Sequence, residues 1–224
     1  MTADERARMR DVLRSAVGQA RLPGAELRHP GQFVRPSVDE KDLAARFTRE
    51  LTALGGTVHE ARGVSDVVAI VQRLVADREP KVLAWDERHL PLPGIGEALA
   101  AAGLTLLRQE PATAQSADHR RELAAASVGL TGADAALAQT GSLVLASGPG
   151  RGRLASLLPP VHVALIRREA LIGSLPELIA ARPELVTRGA NFVVITGPSR
   201  TADIEHVLAR GVHGPRDVHA IFVD

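Results

Sequence analysis

The first apolar rhythm along the chain is helical. Over residues 2–20, Met9, Val12, Leu13, Ala16, Val17 and Ala20 recur every three or four positions, and Gly18, Pro23 and Gly24 mark the stop. Residues 24–36 carry Gly and Pro without periodicity and read as a long connection. Ser37 or Asp39 is placed to cap a second helix running to about Leu54, where Gly55 and Gly56 end it. After that, short β-like runs alternate with helical stretches. Residues 57–60 precede a helix over 64–77, residues 81–85 a helix over 95–102, and residues 104–107 a helix over 117–126. Four later runs, 142–146, 162–166, 192–196 and 219–223, are apolar almost throughout. A run without alternation predicts a strand covered on both faces, as in a parallel sheet flanked by helices. The expected fold is therefore α/β: an open, largely parallel sheet with flanking helices and an N-terminal helical region. The expected division is residues 1–36 as N-terminal helix and connection, and 37–224 as a single α/β domain.

Composition then removes whole classes of function. The 224 residues are 45% apolar and 24% charged, enough chain to bury a core without a staple. The longest uncharged stretch, 135–150, falls short of the roughly 20 apolar residues of a spanning helix, so no membrane span is expected. Zero cysteines exclude a disulfide framework, a thiolate nucleophile, Cys-ligated zinc and an ordinary iron–sulfur cluster in this chain. The start, Met-Thr-Ala-Asp-Glu-Arg, lacks the basic-then-apolar order of a secretory signal, and the expected location is cytoplasmic. A net charge of +1 and five aromatic residues argue against a nucleic-acid surface with stacking rings. Of the eight histidines, His206, His213 and His219 fall close together beside Glu205, yet without the i, i+4 pairing of a helical zinc site. Neither a metal nor a resident cofactor is expected. His162, entering an apolar run after Pro159 and Pro160, reads as a hydrogen-bonded strand histidine.

Three familiar patterns come close and miss. Gly94-Ile95-Gly96 lacks the third Gly of a dinucleotide fingerprint, and residues 148–153 lack the Gly-Lys-Ser/Thr ending of a P-loop. Gly197-Pro198-Ser199-Arg200-Thr201 has Thr where a nucleophile elbow needs its second Gly. Three segments carry a positive signal for an anion. Gly132 and the run Thr140-Gly141-Ser142 place two glycines about ten residues apart, each with a hydroxyl neighbour, although two ordinary tight turns explain the same spacing. Arg151 and Arg153 lie in a glycine-rich loop suited to closing over an anion, or simply to being solvated. Gly197, Ser199, Arg200 and Thr201 follow an apolar strand and are expected to open a short helix. Its N–H groups, with the Arg200 fork and the hydroxyls, would receive an anion.

Four segments also match a known pattern. Residues 131–145 (Thr-Gly-Ala-Asp-Ala-Ala-Leu-Ala-Gln-Thr-Gly-Ser-Leu-Val-Leu), 156–163, 197–205 (Gly-Pro-Ser-Arg-Thr-Ala-Asp-Ile-Glu) and 211–219 resemble, in order, the core of the LUD-domain family, which includes lactate-utilisation protein C. The resemblance implies a fold similar to the sugar-phosphate isomerase and CoA-transferase group. It also implies an accessory role in oxidising L-lactate to pyruvate beside partner proteins that carry iron–sulfur clusters, with a small anionic ligand. Where CoA-transferase relatives use a Glu as acyl acceptor, this chain has Gln139, whose amide forms no acyl anhydride. The alternative is a stand-alone enzyme on a phosphorylated or CoA-linked metabolite, with Arg200 as clamp and Glu205 or His213 as acid/base.

Overall fold

The computed structural model describes residues 3–19, 42–109, 116–187, 191–202 and 208–224. The expected connection at 24–36, the caps Ser37 and Asp39, and Glu205 lie outside the described residues. The chain divides into two units, Met1–Arg35 and Pro36–Asp224. The first carries helix α1 (Ala3–Gln19), whose Met9, Val12 and Leu13 are exposed.

In the second unit, α2 (Leu43–Ala53) is capped by Asp42, whose side chain accepts the Ala45 N–H at 2.9 Å. Phe47 and Leu51, one turn apart, bury the same face, and Phe47 meets Phe222 edge-on. Strand β1 (Thr57–Ala61) leads to α3 (Val64–Val75), β2 (Lys81–Ala84) to α4 (Ile95–Ala101), and β3 (Thr105–Leu107) to α5 (Ala117–Ala124). Then come β4 (Val128–Gly132), β5 (Ala135–Leu137), β6 (Ser142–Ser147), β7 (Val161–Arg167) and β8 (Leu171–Ile172). Helices α6 (Leu175–Ala181) and α7 (Glu184–Thr187) precede β9 (Asn191–Ile195), β10 (Arg200–Ala202), β11 (Leu208–Arg210) and β12 (Asp217–Val223).

A six-stranded sheet runs in the order β1-β12-β7-β4-β2-β3, with every pair parallel. Its central strands are buried almost end to end, which is why β7 and β12 read as continuous apolar runs. The other two apolar runs belong elsewhere. β6 and β9 lie in a second, four-stranded sheet, β8-β5-β6-β9, where β5/β6 and β6/β9 are antiparallel. Apolar content alone does not say which sheet a strand joins.

The central strand β4 was not visible as a strand. It reads Val-Gly-Leu-Thr-Gly, and glycine at two of its five positions breaks the run of strand-forming residues. Gly129 is needed there because the Ala155 carbonyl, in a 3-10 turn over Arg153–Ser156, occupies the place of a Cβ. The segment after Gly197 also departs from expectation. Residues 200–202 form a strand rather than a helix start, pairing antiparallel with β11 in register Arg200↔Arg210.

Candidate functional site

At the carboxyl end of β4 and β7 the chain leaves a cleft, the position where open α/β sheets bind ligands. A hollow of about 480 Å³ is walled by Arg88, His89 and Pro91 from the loop after β2, Gly132 at the end of β4, Arg167 at the end of β7 and Glu169 just beyond it. A second hollow of about 370 Å³ shares its His89 and Arg182 and reaches Asp134, Pro149 and Arg151. Gly132 is glycine for a steric reason: a Cβ there would stand 2.7 Å from the His89 carbonyl oxygen.

The loop at 148–152 is pinned rather than free. Trp85, the single tryptophan, donates Nε1–H to the Gly152 carbonyl at 3.1 Å, and Asp86 N–H donates to Gly150 O at 2.8 Å. His89 Nε2 reaches the Pro149 carbonyl at 3.1 Å. Arg151 lays its guanidinium over the Trp85 ring at 4.5 Å and pairs with Asp134, whose Oδ2 also accepts the Ala146 N–H at 2.7 Å. Both side chains are largely buried, at 21% and 10% exposure, so the pair is a structural lock as well as a cleft wall.

The cleft's charges divide into satisfied and free. Arg88 pairs with Asp86 at 3.0 Å. Arg182 donates to the Asp134 carbonyl at 2.7 Å and lies 3.7 Å from Glu184. Arg167 donates to the Pro91 carbonyl at 3.3 Å, and among the described residues it forms no ion pair.

Of the ten residues expected to bind an anion, the structure brings Gly132 and Arg151 to this cleft. Most of the others gather around the carboxyl end of α2. Gly141, at φ +61°, sits so close to the Leu51 backbone that a Cβ would collide with it. Thr140 and Ser142 join Thr196 in a hydroxyl chain with steps of 2.6 and 2.9 Å. Gly197, at φ +86°, abuts Leu54, and the Arg200 guanidinium donates to the Leu54 carbonyl, satisfying an orphan acceptor at the helix end. Ser199 is held through its backbone, its N–H donating to Pro215 O at 2.9 Å. Arg153 is exposed, Thr201 lies in β10, and His213 is exposed in the loop before β12. Gln139 follows β5 and donates its N–H to the Gly173 carbonyl at 2.9 Å.

Arg167, His89, Arg182 and Trp85 escaped the sequence reading, and Asp134, though inside the segment that begins at Thr131, was given no role. A signal for Arg167 was present: Arg167-Arg168-Glu169 closes an apolar strand at the edge where α/β ligands bind. No pattern in one dimension pairs Trp85 with Arg151.

Below the cleft, the parallel sheet carries a buried histidine as expected. His162 shares a 2.9 Å hydrogen bond with Thr131 Oγ1, and its other nitrogen has no partner. Burial, with His219 nearby, pushes its pKa down to about 4. His219 is likewise lowered to about 4 by burial and by His59, whose Nε2 lies 2.9 Å from its Nδ1. Among the described residues no group of three or more His, Asp or Glu gathers to hold a metal, and no helix is long and apolar enough to cross a membrane.

Fold and cleft define an α/β protein with an arginine-lined cleft at the carboxyl edge of a parallel sheet. The chain belongs to the LUD domain family, which it matches over residues 44–223. It is 41% identical over 189 residues to the lactate utilization protein C of Anoxybacillus flavithermus, covering 83% of this chain and 82% of that protein. The lactate utilization protein C of Shouchella clausii is 34% identical over 151 residues, and that of Deinococcus radiodurans 33% over 144. Each of these two matches takes in 64% of this chain, but only 62% and 66% of the respective relative's length. The crystal structure of a DUF162 family protein from Deinococcus radiodurans superposes with a TM-score of 0.59 at 21% identity, over 81% of this chain and 96% of that one. That likeness concerns the fold.

Proposed function

We propose that the protein is an accessory component of L-lactate utilisation, working in the cytoplasm beside iron–sulfur partner proteins that oxidise L-lactate to pyruvate. The observation that carries this reading is the 41% identity to a lactate utilization protein C across 83% of the chain. Chemistry supports the division of labour. Oxidising a hydroxy acid to a keto acid removes two electrons and two protons, and a chain without cysteine has no thiolates with which to hold a cluster that would take the electrons. The body that does this work is residues 37–224, and its anion site is the cleft to which Gly132 and Arg151 contribute.

The test is genetic and biochemical together. Deleting the gene in its host should abolish growth on L-lactate but not on pyruvate, and the tagged chain should co-purify with proteins showing iron–sulfur absorbance. Turnover of a phosphorylated or CoA-linked metabolite by the isolated chain, with growth on L-lactate intact in the deletion, would replace this reading with that of a stand-alone enzyme.

A further inference from the structure

We propose that the open edge of β9 is a dimerisation surface, and that its occupant is β9 of a second copy of this chain, paired antiparallel about Val193. This goes beyond the accessory role above and is tested apart from it.

β9 ends the four-stranded sheet, and among the described residues its one strand neighbour is β6. The direction of its backbone groups follows from β6. There the Val144 carbonyl accepts the Asp134 N–H at 2.8 Å and the Ala146 N–H goes to Asp134 Oδ2, so residues 144 and 146 face β5. Backbone groups alternate in direction along a strand, so Leu143, Leu145 and Ser147 face β9. Their register partners Ile195, Val193 and Asn191 turn back to β6, which leaves the N–H and C=O of Phe192 and Val194 pointing out of the sheet. Neither backbone finds another partner among the described residues.

The other edges of the two larger sheets are short or charged. β3 has three residues, β8 has two, and β1 carries Glu60, which pairs with Arg168. β9 has no such protection: its five residues, Asn-Phe-Val-Val-Ile, include no charge and no proline. Val194 is 36% exposed, and so is 48% of Val186 on α7, the helix packed on β9. Symmetry selects a second copy. The outward groups stand one residue to either side of Val193. With Phe192 opposite the copy's Val194, and Val194 opposite its Phe192, four N–H···O bonds form and no outward group is left over. An aromatic side chain then meets a β-branched one on one face, and Val193 meets its own copy on the other. An uncharged strand offers a foreign segment no charge by which to be chosen, whereas its own copy fits it in register and meets no like charge. Two five-residue edges bury less than a standard interface, so the dimer should be micromolar rather than nanomolar.

The test is sedimentation equilibrium of the full chain across micromolar concentrations, with hydrogen exchange read residue by residue. A monomer–dimer equilibrium is expected. The Phe192 and Val194 amides should gain protection as concentration rises, while those of Val193 and Ile195 stay protected throughout. Val194→Pro removes the outward N–H and no bond to β6, and should weaken the dimer about tenfold or more, because each dimer loses two hydrogen bonds. Val194→Lys should act in the same direction through charge. Thermal unfolding of each variant separates lost pairing from lost fold. Because the chain has no cysteine, Val193→Cys supplies a single thiol within disulfide reach of its copy, and oxidation should join two chains. Val194→Cys lies two residues out of step with its copy and should not cross-link. A monomer at every concentration, a dimer that both Val194 variants leave unchanged, or equal cross-linking at 193 and 194 overturns the proposal. So does protection of Phe192 and Val194 that appears only when an iron–sulfur partner is added, which would make β9 the seat of a foreign strand. Growth on L-lactate and co-purification are read independently of these measurements, so the accessory role stands or falls by itself.

Discussion

Arg200 and Arg151 show how differently one side-chain type is used within one chain. Arg200 answers an orphan carbonyl at the end of α2 from an exposed position. Arg200→Ala should therefore cost about 1 kcal/mol in urea unfolding, the net worth of an ordinary hydrogen bond, and leave anion binding unchanged. Arg151 is held between the Trp85 ring and Asp134 with little water access. Asp134→Ala strands a largely buried guanidinium and frees the Ala146 N–H, and should cost about 3 kcal/mol. Because Trp85 is the single tryptophan, its fluorescence emission should shift to the red as the loop at 148–152 loosens. An unshifted spectrum with full stability would show that the lock is not a lock. Both arginines stand in glycine-rich or hydroxyl-rich stretches. The sequence offers no means to tell a partner at fifteen or more residues' distance from a ligand.

At the level of elements, legibility followed the strength of local pattern. Helices α2 to α5 and strands β1 to β3 match the expected runs to within a few residues, because each has its own periodicity and its own stop. The hairpin β10–β11 defeated the same reasoning. A Gly-rich turn followed by acidic residues is as good a helix start as any, yet residues 200–202 find hydrogen-bonding partners in 208–210, and that pairing decides the outcome. The turn before β6 works the other way. It was singled out for its glycine and hydroxyls, and the structure shows α2 pressed against it at Gly141. Gly141→Ala places a Cβ into the Leu51 backbone at a φ that L-residues avoid, so it should lower stability by more than about 2 kcal/mol and broaden amide signals on both α2 and β6. Broadening confined to β6 would mean that the two elements are not joined there.

Across the whole molecule, the buried histidines tie stability to pH. His162 and His219 titrate near 4 in the folded chain against 6.5 when unfolded. The unfolded state therefore takes up protons first as pH falls. Their contribution is complete above about pH 6.5, drains away between 6.5 and 4, and changes no further below that. At 1.36 kcal/mol per unit, His162 alone accounts for about 3 kcal/mol over that window, visible as a falling melting temperature. His162→Gln should make that decline about half as steep, His219 carrying the rest, whatever it does to stability at neutral pH. The sequence by itself determined the α/β class, the absence of thiol chemistry and the resemblance to the LUD family, since these rest on residue types, short-range rhythm and local strings. The tertiary structure decided the division into two sheets, the use of Gly141, Gly197 and Arg200 to hold α2, and the meeting of Arg167, Glu169, His89 and Arg182 around one cleft. Those outcomes depend on which segments lie side by side across many intervening residues, and such contacts are set by packing and backbone pairing.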